Sequence, residues 1–203
     1  MTSGPESIMH ALKERILREG KDLGNGILKV DGFINHQVDP ALMFDCGRAL
    51  AELFRGTTAT KVLTAEISGI GPALLTGYHL GVPVVYARKT KPITMPDHVF
   101  LTLSTSHTKG TAVELIVSPE YLGHDDRVLI IDDFLASGVT ILGLMRLARA
   151  AGATVVGVGA LIEKRFEGGR DALAHEDVPV HALVCVTSMA EGRIRFAESA
   201  EAR

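Results

Sequence analysis

Alternating strand and helix signals predict an α/β fold, a mostly parallel sheet flanked by helices. Three observations carry that expectation. From Lys61 onward, short apolar runs alternate with helical stretches, the pattern of parallel strands joined by crossover helices. Val128-Leu129-Ile130-Ile131 is an unbroken aliphatic run, as in a central strand buried on both faces. Residues 99–117 break the rhythm. Strand-like runs over 99–106 and 111–117 flank the polar turn His107-Thr108-Lys109-Gly110, and they predict an antiparallel hairpin inserted between two core strands.

Taken in order, residues 8–19 place Ile8, Leu12 and Ile16 on one face of a short amphipathic helix. A loop rich in Gly, Asp and Asn covers 20–26, and 27–34 reads as extended. Asp39-Pro40 is a helix start, with Asp39 as N-cap and Pro40 in the first helical position. That helix runs to about residue 55, with Gly56 as its stop. A strand over 61–67, the loop Ser68-Gly69-Ile70-Gly71 and a helix over 72–80 follow. A strand over 82–87 leads to Arg88-Lys89. After the hairpin come a strand over 127–131, a helix from near Val139 to about 151, and a strand over 154–162. A helical piece near Asp171 and a last strand over 178–186 complete the pattern.

Composition narrows the function classes. A chain of 203 residues suits one compact domain, residues 1–203. With 46% hydrophobic and 22% charged residues it reads as a soluble globular protein rather than a disordered one. A net charge of −3 leaves no basic footprint for nucleic acid or an anionic membrane. Cys46 and Cys185 sit far apart in apolar segments and read as buried thiols, not a disulfide framework. No CxxC or HExxH spacing occurs, so a protein-built metal cage is not expected. Residues 1–7 are polar and lack the apolar core of a signal peptide. The longest apolar stretch, 153–162, carries Gly157 and Gly159 and is too short to span a bilayer. The expected compartment is the cytoplasm.

Residues 128–140 hold the densest chemistry. Asp132 and Asp133 follow the aliphatic strand, and the small turn Ala136-Ser137-Gly138 then leads into a helix beginning near Val139. A strand–turn–helix of this kind aims backbone N–H groups and the positive end of a helix at one spot, which is an anion site. Gly138 lets an anion approach the backbone closely, and the Ser137 and Thr140 hydroxyls add donors. Carboxylates do not bind phosphate, so the pair suits neighbouring hydroxyls on the same ligand. Phosphate beside vicinal hydroxyls describes a ribose 5-phosphate. The plainer alternative is an Asp pair that only caps a loop and helix, which calls for neither the second carboxylate nor the hydroxyl-lined turn.

Other polar groups follow other strands: Ser68-Gly69, Arg88-Lys89 and Glu163-Lys164. In an open parallel sheet ligands bind beyond the carboxyl ends of the strands, so these groups and the Asp pair would meet at one crevice. Taken singly, a basic residue at a strand end is usually solvated and a glycine turn usually just turns.

The 128–140 segment resembles the phosphoribosyl-diphosphate (PRPP) motif of the type I phosphoribosyltransferases: an apolar strand, two acidic residues, then a small Ala-Ser-Gly-x-Thr loop. The resemblance runs from about Ile8 to Phe196. It implies Asp132 and Asp133 as the catalytic pair. Ala136, Ser137, Gly138, Val139 and Thr140, with Ser68, Gly69, Arg88 and Lys89, would hold PRPP. The hairpin would be a mobile hood that closes over PRPP. Mg2+ carried with the diphosphate would be the cofactor.

Residues 27–37 and 162–166 are similar to bacterial xanthine phosphoribosyltransferases of the homodimeric purine-salvage kind. That likeness implies a homodimer, xanthine as the accepting base, and Leu28, Asn35 and Lys164 at the purine. A Lys ammonium has only donors, which favours a 6-oxo purine over a 6-amino one. Asn35 both donates and accepts, so it suits the 2-oxo group of xanthine or the 2-amino group of guanine. It also reads as a turn former before His36. Ala136 stands where related hypoxanthine–guanine and xanthine–guanine enzymes carry an acidic residue, which leaves the purine's proton acceptor unassigned. Two alternatives stand beside this reading. One is a phosphoribosyltransferase for guanine, hypoxanthine or adenine. The other is a PRPP-sensing regulator, which would normally show a winged helix or a basic face.

Overall fold

Apolar spacing builds the first helix. In a computed structural model that describes residues 4–105, 112–190 and 192–197, α1 spans Pro5–Glu19 and buries Ile8, Leu12 and Ile16. Asp39 caps α2 (Pro40–Phe54), its side chain accepting from the N–H groups of Ala41 and Leu42 at 3.1 Å. α2 ends in a single 3-10 turn, Arg55–Thr57, and the left-handed residue beyond it is Thr58, φ 52°, rather than the expected Gly56.

The main sheet holds β3 (Lys61–Ala65), β4 (Val84–Ala87), β7 (Arg127–Leu135), β8 (Thr154–Lys164), β9 (Val180–Ala190) and β10 (Arg193–Phe196), in the order β10-β9-β8-β7-β3-β4. Every pairing is parallel except β9 with β10. α1, α2 and α3 (Ile70–Leu80) cover one face, and α4 (Val139–Ala150) and α5 (Gly169–Ala172) the other. Leu129 and Ile131 join the core on the first face, while Val128 and Ile130 join the core on the second. This alternation on a sheet buried on both sides is why the run shows no polar break.

From β3 the chain runs outward to β4. It then returns through the hairpin to β7, on the other side of β3, and continues to β8 and β9. Strand order therefore reverses between β3 and β7, and a crevice opens there beyond their carboxyl ends.

The inserted hairpin is β5 (Phe100–Thr105) with β6 (Ala112–Val117), an antiparallel pair in a sheet of its own. Leu115 and Val117 rest on the α4 side of the core, and Arg88 bridges to Ile116. The joining turn expected at His107–Gly110 lies outside the described residues.

Several boundaries differ from expectation. β7 continues through Asp132 and Asp133 to Leu135, and β8 reaches Lys164, because neighbouring strands pair with them as far as Leu135↔Glu163 and Lys164↔Val186. α3 begins at Ile70 rather than residue 72. Of the extended stretch 27–34 only β2 (Leu28–Lys29) is strand, paired with β1 (Lys21–Asp22). The rest coils back, with the His36 and Gln37 N–H groups donating to the Asp31 carbonyl. β9 is longer than read, and β10 was not anticipated.

Candidate active site

A cavity of about 500 Å³ opens at the strand-order reversal, walled by the ends of β3 and β7 and the start of α4. At one end, Ala136, Ser137, Gly138, Val139 and Thr140 all face the space. Gly138 has φ 78°, a conformation that favours glycine, and no side chain caps α4. The first N–H groups of the helix are therefore left for a ligand, and the helix dipole adds positive potential there.

Asp132 and Asp133 form the floor, 8% and 6% exposed. The Asp133 N–H donates to Asp132 Oδ1 at 3.0 Å. Ser68 Oγ donates to Asp133 Oδ1 at 3.0 Å, and Asn35 Nδ2 reaches Asp133 Oδ2 at 3.4 Å. Burial, then the neighbouring Asp133 charge, push the Asp132 carboxyl well above its ordinary range, and Lys89 offsets part of this. Gly69 is behind the wall rather than on it. A Cβ there would lie 2.6 Å from Asp132 Oδ1 and 2.2 Å from Thr64 Oγ1, so only glycine lets the β3–α3 loop close on the acidic pair.

Lys89 is on the wall, but its neighbour Arg88 is not. Arg88 pairs with Glu66 Oε2 at 3.3 Å and lies 5.9 Å from the centroid of the Tyr86 ring. Glu66, which the sequence reading passed over, lines the cavity and accepts the Lys89 N–H at 2.7 Å. Its signal was its position directly after β3, two residues before Ser68.

At the other end, Leu28, Asn35 and Lys164 converge with Ile27 and Phe134. Lys164 Nζ donates to the Gly26 carbonyl at 2.9 Å and lies 5.6 Å from the Phe134 ring centroid. Glu163 was grouped with the site, and that is corrected. It is 1% exposed and held by Arg170, with Nη2–Oε2 at 2.6 Å, away from the cavity. Successive residues of β8 alternate between its faces, and it is Lys164 that lines the crevice while Glu163 turns to the Arg170 side. Phe134 was legible by the same rule, since it shares a face with Asp132.

Burial pushes the Cys46 thiol up to about 12, and neither cysteine lines the cavity, so thiolate chemistry has no place here. Among the described residues no group of three or more His, Cys, Asp or Glu side chains could hold a metal ion, and no helix is long and apolar enough to cross a membrane.

A family model described as phosphoribosyl transferase domain matches residues 36–183. The chain belongs to the phosphoribosyltransferase family. It is 49% identical over 192 residues to the xanthine phosphoribosyltransferase of Oceanobacillus iheyensis, covering 95% of this chain and 99% of that one. It is 52% identical over 184 residues to that of Deinococcus deserti, covering 91% and 95%. Among solved structures, adenine phosphoribosyltransferase from Rhodothermus marinus superposes with a TM-score of 0.70 at 26% identity, covering 89% of this chain and 99% of that one. The family fold, a mostly parallel sheet with a separate antiparallel hairpin, is the one expected from the sequence.

Proposed function

We propose that this protein transfers the 5-phosphoribosyl group from PRPP to xanthine, giving xanthosine 5'-monophosphate and diphosphate in purine salvage. One observation carries the transfer chemistry: an uncapped helix start and a buried carboxylate pair share one floor at the strand-order reversal. The full-length likeness to enzymes named for xanthine supports the choice of base.

In this reading the 137–140 turn binds the 5-phosphate through backbone N–H groups and hydroxyls. Asp132 and Asp133 take the ribose hydroxyls and face the sugar carbon as it becomes cationic. Diphosphate leaves toward Lys89 and the Ser68-Gly69 loop, with Arg88 available once Glu66 releases it. Catalysis is then mainly positioning and charge stabilisation. Mg2+ enters with PRPP as part of the substrate, drawing its oxygen ligands chiefly from diphosphate and water. Leu28 packs on the purine, Lys164 donates to its 6-oxo group, and Asn35 reads the 2-position. The hairpin closes over the loaded site.

We also assign a homodimer. Exposed Phe44, Leu74 and Tyr78 on adjoining α2 and α3 support it, with the Phe44 and Tyr78 rings 6.0 Å apart. The two free buried thiols suit a reducing compartment such as the cytoplasm. The deciding experiment is a base panel with Mg2+ and PRPP, following nucleotide formed from xanthine, guanine, hypoxanthine and adenine. Xanthine should give the highest kcat/KM. A higher value for any other base overturns the assignment, and no product from any base overturns the enzyme.

A further inference from the structure

The base end is closed by a clip between segments far apart in sequence. Gly24, Asn25 and Gly26 form a turn of left-handed residues at φ 80°, 51° and 75°. Gly26 packs so tightly on the 165–167 turn that a Cβ there would lie 3.3 Å from Glu167 Oε1 and 3.4 Å from Phe166. The Lys164 ammonium is inside this contact. It donates to the Gly26 carbonyl at 2.9 Å and is ion-paired with Glu167, with the two side chains only 8% and 14% exposed. An ammonium has three N–H donors and no acceptor, so with one bonded to Gly26 and the Glu167 carboxylate pairing with its charge, donor capacity is left for the cavity, whose wall includes Lys164. Glu163 cannot share the task. It is on the opposite face of β8, taken by Arg170 at 2.6 Å and approached by Arg165 at 3.3 Å.

We propose that Glu167 is a positioning residue for the purine: with Gly26 it fixes the Lys164 ammonium so that a free N–H stays aimed at the 6-oxo group. The inference rests on the base-site reading above. Glu167 is off the cavity wall and acts through Lys164. Its carboxylate also balances the Lys164 charge, so the pair presents a directed donor to a neutral oxo group rather than a free cation to any passing anion.

Steady-state kinetics of E167A, E167Q, K164M and E167A/K164M test this, with xanthine and Mg2+–PRPP varied in turn. E167A should raise KM for xanthine about 10-fold while kcat and KM for PRPP stay within about 2-fold. E167Q, which keeps an acceptor without the charge, should raise it about 3-fold. In the K164M background, E167A should add nothing further, because both changes remove the same positioned donor. Independent, additive effects overturn the proposal. So does a parallel change in kcat and both KM values, the mark of a loosened fold. If E167A does not fold, E167Q and its cycle with K164M decide. A non-additive cycle with a 6-oxo base that turns over better than xanthine overturns the choice of xanthine and upholds the clip. An unchanged base KM in K164M overturns both.

Discussion

At the proposed phosphate end of the cavity, the wall from Asp132 to Ile141 belongs to one strand, one turn and one helix. At the base end, Ile27, Asn35, Phe134 and Lys164 come from separate segments, and the bond from Lys164 to Gly26 spans 138 residues. In the proposed reading the first end binds largely with main-chain N–H groups, which any sequence keeping the turn supplies, and the second with side chains held by distant segments. A fold built this way can keep one donor substrate while exchanging its acceptor. That matches its likeness both to enzymes named for xanthine and to an adenine enzyme.

The largest test of this contrast is Ser137→Asp. A carboxylate would stand where the 5-phosphate sits, and two charges about 4 Å apart at an effective dielectric of about 20 repel by about 4 kcal/mol. PRPP affinity by calorimetry should fall about 1,000-fold, with binding of the base far less affected. Unchanged affinity would remove the turn from the phosphate site.

Asp132→Asn and Asp133→Asn should each lower kcat about 100-fold, since the amide keeps hydrogen bonds but offers no charge to the cationic sugar. Near-normal kcat in both would make the pair structural. Asp132 also carries a pH signature. Its raised carboxyl holds a proton in the native state after the unfolded chain has lost its own. Stability of the ligand-free protein therefore falls as pH rises from about 4 toward that raised value, by at most about 1.4 kcal/mol per pH unit. Thermal melts of D132N followed upward from about pH 4 should lose this slope, and a slope equal to wild type would assign it to another group.

Gly169→Ala probes the border between the two ends. Its Cβ would fall 2.2 Å from the Ala136 carbonyl oxygen and 2.9 Å from the Gly138 nitrogen, so the phosphate turn has to shift. KM for PRPP should rise about 10- to 100-fold, as small displacements of a positioning element do. If only the base KM moves, the border has been drawn in the wrong place. The smallest effect belongs to Asn35→Ala. Its 3.4 Å contact with Asp133 is long for a hydrogen bond, so kcat should drop no more than about 3-fold while base preference changes. A large loss of kcat would show that Asn35 holds Asp133 in place.

The same contrast explains what the sequence disclosed. Residues 128–140 are legible because strand, carboxylates and turn are consecutive, so local periodicity and turn chemistry suffice. The parallel sheet and hairpin are legible for the same reason. The Arg88–Glu66 pairing is not, because it depends on which way β4 turns its last residues. Glu163 misleads for a related reason: adjacent residues on a strand look alike in sequence and point to opposite faces. β7 and β8 outrun their apolar cores because pairing with neighbours, rather than their own composition, keeps Asp132 and Lys164 extended. The clip at Glu167 joins parts that no local pattern connects.

Gly138 and Gly169 meet back to back, a Cβ on the first lying 3.3 Å from the Cα of the second. Gly169 comes two residues after Glu167, so the segment proposed to choose the base leans directly on the turn proposed to receive the sugar phosphate. A segment transplanted from a relative with another purine preference can carry 164–167 and its partner loop freely. It has to hand the chain back at 169 as glycine, or acquiring a new acceptor would mean losing the donor. The exchangeable part of this enzyme therefore has a fixed downstream seam, one hydrogen atom wide.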